Sequence, residues 1–163
     1  MQVMIFIGSD SDHEIVAEAM DILREFGVAA DLEVTSAHRS PERTLSLVRR
    51  AEAAGVEVFI AVAGKAAHLA GVVASHTVRP VIGVPVDSGG LGGLDALLST
   101  VQMPKGVPVA GMGLGKTGAS NAALLAVQIL GLKDKGLRDK LTDYKAKMAV
   151  QVERASRKLT RKS

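Results

Sequence analysis

The sequence contains no cysteine and no tryptophan, and only 2% of its 163 residues are aromatic. Without cysteine the chain has no disulfide, no thiolate metal ligand and no cysteine nucleophile, and a reducing cytoplasm is compatible with it. The scarcity of aromatic residues argues against recognition of single-stranded nucleic acid by base stacking. The first residues, MQVMIFIGSD, have no basic segment and only a short apolar run. We therefore expect neither a signal peptide nor a membrane span there.

Charge is distributed unevenly along the chain. Residues 133–163 carry 11 basic and 4 acidic side chains, a net charge of +7, whereas the remainder has a net charge of −4. Such a basic segment is either a site for an anionic partner or a solvated helix face. No nucleic-acid motif accompanies the charge. We therefore favour the solvated face and expect no nucleic-acid and no membrane partner.

Short apolar runs alternate with segments of helical periodicity. We predict strands at Val3 to Ile7, Ala30 to Thr35, Val56 to Val62, Pro80 to Val84 and Val107 to Met112. We predict helices at His13 to Phe26, Pro41 to about Ala54, from near His68, Leu94 to Val101, Ala119 to Leu130 and about Asp134 to Leu159. This alternation predicts an α/β fold in which a five-stranded parallel sheet carries helices on both faces, in one domain spanning residues 1–163.

The last predicted helix, within residues 134–160, has one apolar stripe along its length. The stripe consists of Leu137, Leu141, Tyr144, Met148, Val152, Ala155 and Leu159. It could pack on its own chain or on a neighbouring subunit. We favour the neighbouring subunit, because a domain of this size already has helices for both faces of its sheet.

The turn after the first strand, GSDSD, is polar and begins with glycine. Gly8 permits close backbone approach, Ser9 and Ser11 offer hydroxyl groups, and Asp12 is positioned to cap the following helix. Such a turn binds an anion at the helix start, or its residues serve only to cap the helix. The motif alone does not separate these alternatives.

The turn after the second strand, SAHRSPER, contains Ser36, His38 and Arg39. Arg39 either makes a forked contact with a phosphate or pairs with Glu42. The first two turns both follow neighbouring strands of the predicted sheet, and ligands of open α/β sheets bind at the carboxyl ends of strands. This shared position favours the ligand.

The turn after the third strand, AGKAAHLAG, combines small residues with one histidine, His68. Histidine exchanges protons near neutral pH, although an isolated one at a helix start often serves only the backbone. Lys65 either pairs with an anion or faces water. The stretch therefore offers a small-residue pocket with a mobile proton.

These three turns, in this order, resemble the class I N5-carboxyaminoimidazole ribonucleotide mutases of purine biosynthesis. The resemblance continues through PVIGVPV, STVQMPKGVPVA and GKTGASNAALLAVQIL and so covers nearly the whole chain. It implies a flavodoxin-like three-layer sandwich and a homo-octamer with active sites at subunit junctions. It also implies rearrangement of N5-carboxyaminoimidazole ribonucleotide to its 4-carboxylate isomer in the cytoplasm, without metal, ATP or another cofactor.

The resemblance also implies roles for individual residues. Ser9 and Arg39 would contact the phosphate, with Ser11 and Ser36 nearby, and Asp12 would accept a ribose hydroxyl. His68 would be the general acid and base, and His38 would lie beside the nucleotide as a second catalytic residue. The remaining residues expected to bind substrate are Gly8, Gly64, Lys65, Ala66 and Leu69.

The chain departs from the family pattern at two positions. The family usually has GGAAHLPG, whereas this chain has GKAAHLAG, so that Lys65 replaces a glycine and Ala70 a proline. A related class, the aminoimidazole ribonucleotide carboxylases that use free carbon dioxide, typically has an arginine near position 65 and no histidine at position 68. His68 favours the mutase. A carboxylase on the same scaffold and a non-catalytic nucleotide-binding module remain the alternatives.

Overall fold

The computed structural model describes residues 2–160, apart from the side chain of Thr160. It contains five strands: β1 (Val3–Ile7), β2 (Ala30–Val34), β3 (Val58–Gly64), β4 (Val81–Val86) and β5 (Ala110–Gly111). Its helices are α1 (His13–Phe26), α2 (Pro41–Ala53), α3 (Leu69–Ala74), α4 (Leu94–Val101), α5 (Gly115–Gly131) and α6 (Lys135–Thr160), with a 3₁₀ turn at Asp10–Asp12.

The chain forms two compact units, Met1–Ala126 and Val127–Ser163. The first unit contains the whole sheet and helices α1 to α4, and α6 belongs to the second unit. That residues 1–163 act as one domain stays a prediction. No helix within residues 2–160 is long and apolar enough to cross a membrane.

All neighbouring strands of the sheet are parallel, and their order is β2-β1-β3-β4-β5. The chain leaves β1 in one direction to form β2 and then returns past β1 to form β3. This strand order is that of the flavodoxin-like doubly wound sheet, and it confirms the expected fold class. The reversal places a crevice at the carboxyl ends of β1 and β3.

The core lies on both sides of the central strands. On one face, Met4 and Phe6 of β1 and Phe59 and Ala61 of β3 pack with α2 and α3, and the rings of Phe6 and Phe59 stack at 5.8 Å between centroids. Alternate residues of a strand point to opposite faces, so Val3, Ile5 and Ile7 face the other side, where a right-handed connection to β2 places α1. All five residues of β1 are buried, which explains its continuous apolar sequence.

Most predicted element bounds agree with the structure, and β1, α1 and α4 have the predicted limits. The prediction for β5 was too long, because only Ala110 and Gly111 pair with β4, at the edge of the sheet. Helix α5 begins at Gly115, four residues earlier than predicted.

Helix α2 buries one face, and Leu45 lies beside that face and is only half-buried. The buried positions are Thr44, Leu47, Val48 and Ala51, a spacing that repeats one helical face. Leu45 follows Thr44 directly, and successive residues of a helix point in different directions, so its side chain faces partly toward solvent.

Helix α6, the main element of the second unit, is a 26-residue helix with many exposed side chains. Members of its apolar stripe are solvent-accessible, and Val152 and Leu159 are 71% and 72% exposed. Basic residues of α6 pair along the helix, as Lys135 does with Asp139 at 2.7 Å. Exposed pairs of this kind contribute little to stability.

Candidate functional site

A cavity of about 630 Å³ lies at the carboxyl ends of strands β1 to β4. Its volume is in the range of small-ligand pockets, and its position is the crevice where the strand order reverses. Every residue predicted above for the site lines it. The lining comprises Gly8, Ser9, Ser11, Asp12, Ser36, Ala37, His38, Arg39, Ala63, Gly64, Lys65, Ala66, His68, Leu69 and Ser88.

The first turn is organised by Ser9. Its Oγ accepts a hydrogen bond from the Ser11 backbone N–H at 3.4 Å and lies 3.0 Å from the Ser11 hydroxyl. Asp12 lies at the predicted N-cap position of α1, but its side chain makes no cap hydrogen bond. The 3₁₀ turn has already brought Asp12 into helical backbone geometry, whereas a capping residue requires extended backbone. The Asp12 side chain therefore does not cap α1, and Asp12 lines the cavity.

The second turn is fastened to α2 and to β1. The hydroxyls of Thr35 and Thr44 are hydrogen bonded at 2.8 Å in the core. Arg39 Nη2 donates to the Gly8 carbonyl at 3.1 Å, and its backbone N–H donates to Ser36 Oγ at 3.2 Å. Arg39 therefore joins the first two turns and makes no ion pair with Glu42 within residues 2–160. This geometry holds a cation beside the serine hydroxyls.

His38 and His68 meet inside the cavity. His38 Nε2 and His68 Nδ1 are hydrogen bonded at 2.8 Å, and the two rings cross at 72°. One of these two nitrogens carries a proton and the other accepts it. The pair therefore holds a proton that can be passed between two imidazole rings, and His68 Nε2 is left for a ligand.

Sequence reasoning missed Ser88, Ala37 and Ala63, which also line the cavity. A Cβ added to Gly64 would collide with the Ser88 side chain, so Gly64 lets Ser88 lie directly against β3. The signal for Ser88 was present, because PVDSGG follows a strand as the three named turns do. Ser88 places a hydroxyl beside Gly64.

Burial raises the pKa of the Asp12 carboxyl above its ordinary value of 3.8. Asp12 is only 7% exposed, and hydrogen bonds from the Ser9 backbone and the Ser11 side chain offset part of this desolvation. Asp10 raises the pKa further by repulsion between the carboxylates. The folded protein therefore disfavours the ionised form of Asp12.

Asp12→Asn is expected to raise the free energy of unfolding at pH 7. A raised folded-state pKa means that ionised Asp12 destabilises the fold above that pKa, and this penalty disappears when the pH falls below 3.8, where both states are protonated. Denaturant unfolding should therefore show a gain at pH 7 that shrinks as the solution is acidified. Asp31→Asn, at an exposed position of β2, is the control. A less stable Asp12→Asn protein at pH 7 would contradict the prediction.

The cavity thus combines three kinds of group. Serine hydroxyls and Arg39 gather hydrogen-bond donors and a positive charge at one end, the histidine pair shares a hydrogen bond, and small side chains leave space between them. A second cation, Lys65, lies in the lining after β3. The geometry suits proton transfer to and from an anionic, ring-bearing small molecule.

Residues 2–151 match the model of one protein family, AIR carboxylase. The chain belongs to the AIR carboxylase family. Curated relatives of this chain in the family are named N5-carboxyaminoimidazole ribonucleotide mutase. The relative in Pyrococcus horikoshii is 51% identical over 96% of this chain and 88% of its own length. The relative in Mycobacterium tuberculosis is 50% identical over 98% of this chain and 95% of its own length.

Solved structures of PurE proteins from Treponema denticola have the same fold. One has a TM-score of 0.88 and 30% identity, covering 97% of this chain and 98% of its own. A substituted PurE2 protein of that organism has a TM-score of 0.88 and 29% identity, covering 98% and 99%. The family expected from the three turns is confirmed, whereas the roles of individual site residues stay predictions.

Proposed function

We propose that the protein is an isomerase that converts N5-carboxyaminoimidazole ribonucleotide to 4-carboxy-5-aminoimidazole ribonucleotide in purine biosynthesis. The observation that carries the proposal is the hydrogen-bonded His38–His68 pair inside a cavity whose other end is built to bind an anion. Identity of about half to curated mutases over nearly the full chain supports the same activity.

In the proposed complex, the phosphate, the ribose and the imidazole ring of the substrate each contact a different part of the cavity. Its phosphate would bind at Ser9 and Arg39, with Ser11 and Ser36 nearby, because these groups supply hydrogen-bond donors and a positive charge. Asp12 would accept a ribose hydroxyl. The imidazole ring would then lie against Gly64, Ala66 and Leu69, next to the histidine pair.

The histidine pair can supply both proton transfers of the rearrangement. A proton from the pair goes to the exocyclic nitrogen of the carbamate, whose carbon–nitrogen bond breaks to give carbon dioxide and the amine. Ring carbon 4 then attacks carbon dioxide, the new carbon–carbon bond forms, and the proton on carbon 4 returns to the pair. One proton is given and one is taken back, so the pair ends as it began.

Confinement supplies the remaining contribution. Carbon dioxide must stay beside the ring between the two steps, and holding two reactants together replaces a bimolecular encounter by an intramolecular one. Ser88, on the loop after β4, lies against Gly64 and lines the same cavity as the histidine pair. No step of this scheme calls for a metal ion or ATP.

A paired turnover assay tests the proposal. One sample receives N5-carboxyaminoimidazole ribonucleotide, and the other receives aminoimidazole ribonucleotide with equilibrated bicarbonate and carbon dioxide. Both are followed for the 4-carboxylate product. We expect rapid conversion in the first sample alone. Rapid conversion in the second sample alone would identify a carboxylase that uses free carbon dioxide, and nucleotide binding without conversion in either would identify a non-catalytic module.

We further propose that the protein is a cytoplasmic homo-oligomer, an octamer as the family resemblance implies. Exposed apolar side chains on α4 support association, among them Leu94, Leu98 and Val101 at 54%, 45% and 47% exposure. Helix α6 adds the exposed Val152 and Leu159. The absence of cysteine suits the reducing cytoplasm.

A chain that ends at Lys133, and so lacks α6, is expected to form a smaller assembly than the full chain. Removing the helix removes its exposed apolar stripe, which we infer to be covered by neighbouring subunits. Light scattering coupled to size-exclusion chromatography measures the mass. A chain ending at Thr160 is the matched control, and an unchanged mass without α6 would contradict this role of the helix.

A further inference from the structure

Lys65 has an unusual backbone for a lysine. Within residues 2–160 it is the one non-glycine residue with a positive φ, at 55°. Side chains with a Cβ disfavour this left-handed region, which glycine enters freely. Strained positions of this kind persist where the surrounding structure imposes them, and they concentrate at functional sites. Glycine would adopt this φ without strain, so the presence of a lysine here suggests that its side chain has a function.

The local structure holds Lys65 firmly in this geometry. Its carbonyl accepts from the Ala67 N–H at 2.8 Å, and the Ala66 carbonyl accepts from the His68 N–H at 2.7 Å. These two successive tight turns place His68 at the start of α3. The position and orientation of Lys65 are thus coupled to those of the histidine beside it.

The stem of Lys65 leans toward the loop after β4. A Cβ added to Gly89 would lie 3.9 Å from Lys65 Cγ and 3.8 Å from Asp95 Oδ2. The stem of Lys65 therefore lies beside Gly89 and on the same side as Asp95. Lys65 nevertheless forms no ion pair with Asp95 or with any other residue among those that the structure describes. Its ammonium group lacks a protein carboxylate partner while it lines the cavity.

The two cations of the cavity follow different strands, which lie on either side of β1. Arg39 follows β2 and is tied to Ser36 and Gly8, whereas Lys65 follows β3 and leans toward β4. Since β1 separates β2 from β3, the two strand ends are about 10 Å apart. One phosphate at the Arg39 end therefore leaves Lys65 for a second anionic group. In the proposed substrate that second group is the carboxylate on the ring end, beside His68.

We propose that Lys65 Nζ binds the carboxylate that the reaction moves, and that Lys65 selects carboxylated over decarboxylated nucleotide. The inference rests on the proposed function and adds a contact to it. An ammonium group is a compact charge with three hydrogen-bond donors, which suits a carboxylate that changes its point of attachment. The cation favours the carboxylated substrate and product over neutral carbon dioxide, so it also limits escape of the decarboxylated nucleotide.

Binding of two nucleotides by four proteins tests this assignment. Isothermal titration measures the affinity of 4-carboxy-5-aminoimidazole ribonucleotide and of aminoimidazole ribonucleotide for the wild type, Lys65→Met, Lys65→Arg and Lys145→Met. Lys65→Met is expected to weaken the carboxylated nucleotide about tenfold, because a charge-assisted hydrogen bond is lost, and to leave the decarboxylated one unchanged. Lys65→Arg should retain most of the affinity. Lys145→Met removes an exposed lysine outside the cavity and should change neither value.

Lys65→Gly separates the side chain from the backbone. Glycine accepts the positive φ without strain, so this variant folds even if Lys65→Met does not. It should show the same selective loss of the carboxylated nucleotide. During turnover, both variants should release more aminoimidazole ribonucleotide per product than the wild type.

Three results would overturn the inference. Equal weakening of both nucleotides would assign Lys65 to the phosphate, and unchanged affinity for both would make it a surface residue. If Lys65→Arg lost affinity for the carboxylated nucleotide while its melting temperature stayed normal, a positive charge at residue 65 would not be what binds the carboxylate. If the wild type bound neither nucleotide, the proposed function itself would be wrong. The wild-type titration alone shows this, without any variant.

Discussion

Replacing His68 with asparagine is expected to reduce turnover of N5-carboxyaminoimidazole ribonucleotide by about 10³-fold, the usual contribution of a general acid or base. Asparagine is similar in size and still offers hydrogen bonds, but it does not exchange protons near neutral pH. The nucleotide should still bind, because the anion-binding end of the cavity is untouched. Steady-state kinetics and isothermal titration on the same preparation separate these two effects.

His76→Asn is the matched control for this change. His76 is exposed after α3 and does not line the cavity, so its replacement should leave both kcat and affinity unchanged. Unchanged turnover in His68→Asn would remove His68 from the chemistry. Loss of nucleotide binding together with turnover would instead show that His68 organises the site.

The hydrogen bond between His38 and His68 makes their effects interdependent. If the pair transfers protons as a unit, His38→Asn should also lower kcat, and the double variant should be little slower than the slower single variant. Independent roles would instead give losses that multiply. The same kinetic assay applied to all three variants decides between these outcomes.

Arg39→Ala is expected to weaken nucleotide binding by about thirtyfold, which corresponds to about 2 kcal/mol for one charged hydrogen bond. Arg39 is the cation that joins the first two turns, through Gly8 and Ser36, and these turns are the ones proposed to bind the phosphate. Because the phosphate is present in substrate, product and the decarboxylated nucleotide, all three should lose affinity together. Titration with the product and with aminoimidazole ribonucleotide measures this directly.

Two variants sharpen the interpretation of Arg39. Arg39→Lys keeps the charge but loses the forked geometry, so its affinity should lie between those of wild type and Arg39→Ala. Arg49→Ala removes an exposed arginine of α2 outside the cavity and should bind normally. Retained affinity in Arg39→Ala would place the phosphate elsewhere. Arg39 and Lys65 would thus be distinguished by which part of the ligand each variant affects.

Much of the fold was predictable because its central strands, β1, β3 and β4, are largely buried. Strand β1 is a continuous apolar run, and a polar turn and a helix follow it. This local pattern alone indicates a strand of a parallel sheet. Strand β5 was the exception. It lies at the edge of the sheet and pairs through two residues, both of which are exposed, so the apolar sequence there corresponded neither to a buried strand nor to extended pairing.

The candidate site was predictable for a related reason. Ser9, Arg39 and His68 each follow a predicted strand, and parallel strands bring their carboxyl ends to one edge. Ser88 follows β4 in the same way but was missed, since the glycines that follow it are typical of any turn, whether or not it binds a ligand. The burial of Asp12 was also missed, because it depends on a 3₁₀ turn that the sequence does not distinguish from a cap.

The sequence by itself determined the alternation of strands and helices, the polar turns at the strand ends, and the family to which the chain belongs. Only the tertiary structure decided which turns meet. Strand β1 lies between β2 and β3, and this order brings His38 and His68, thirty residues apart, to a 2.8 Å hydrogen bond. Local patterns arise from the chemistry of adjacent residues. Distances between turns depend instead on the order and handedness of the connections between strands, and these are decided when the whole core packs together.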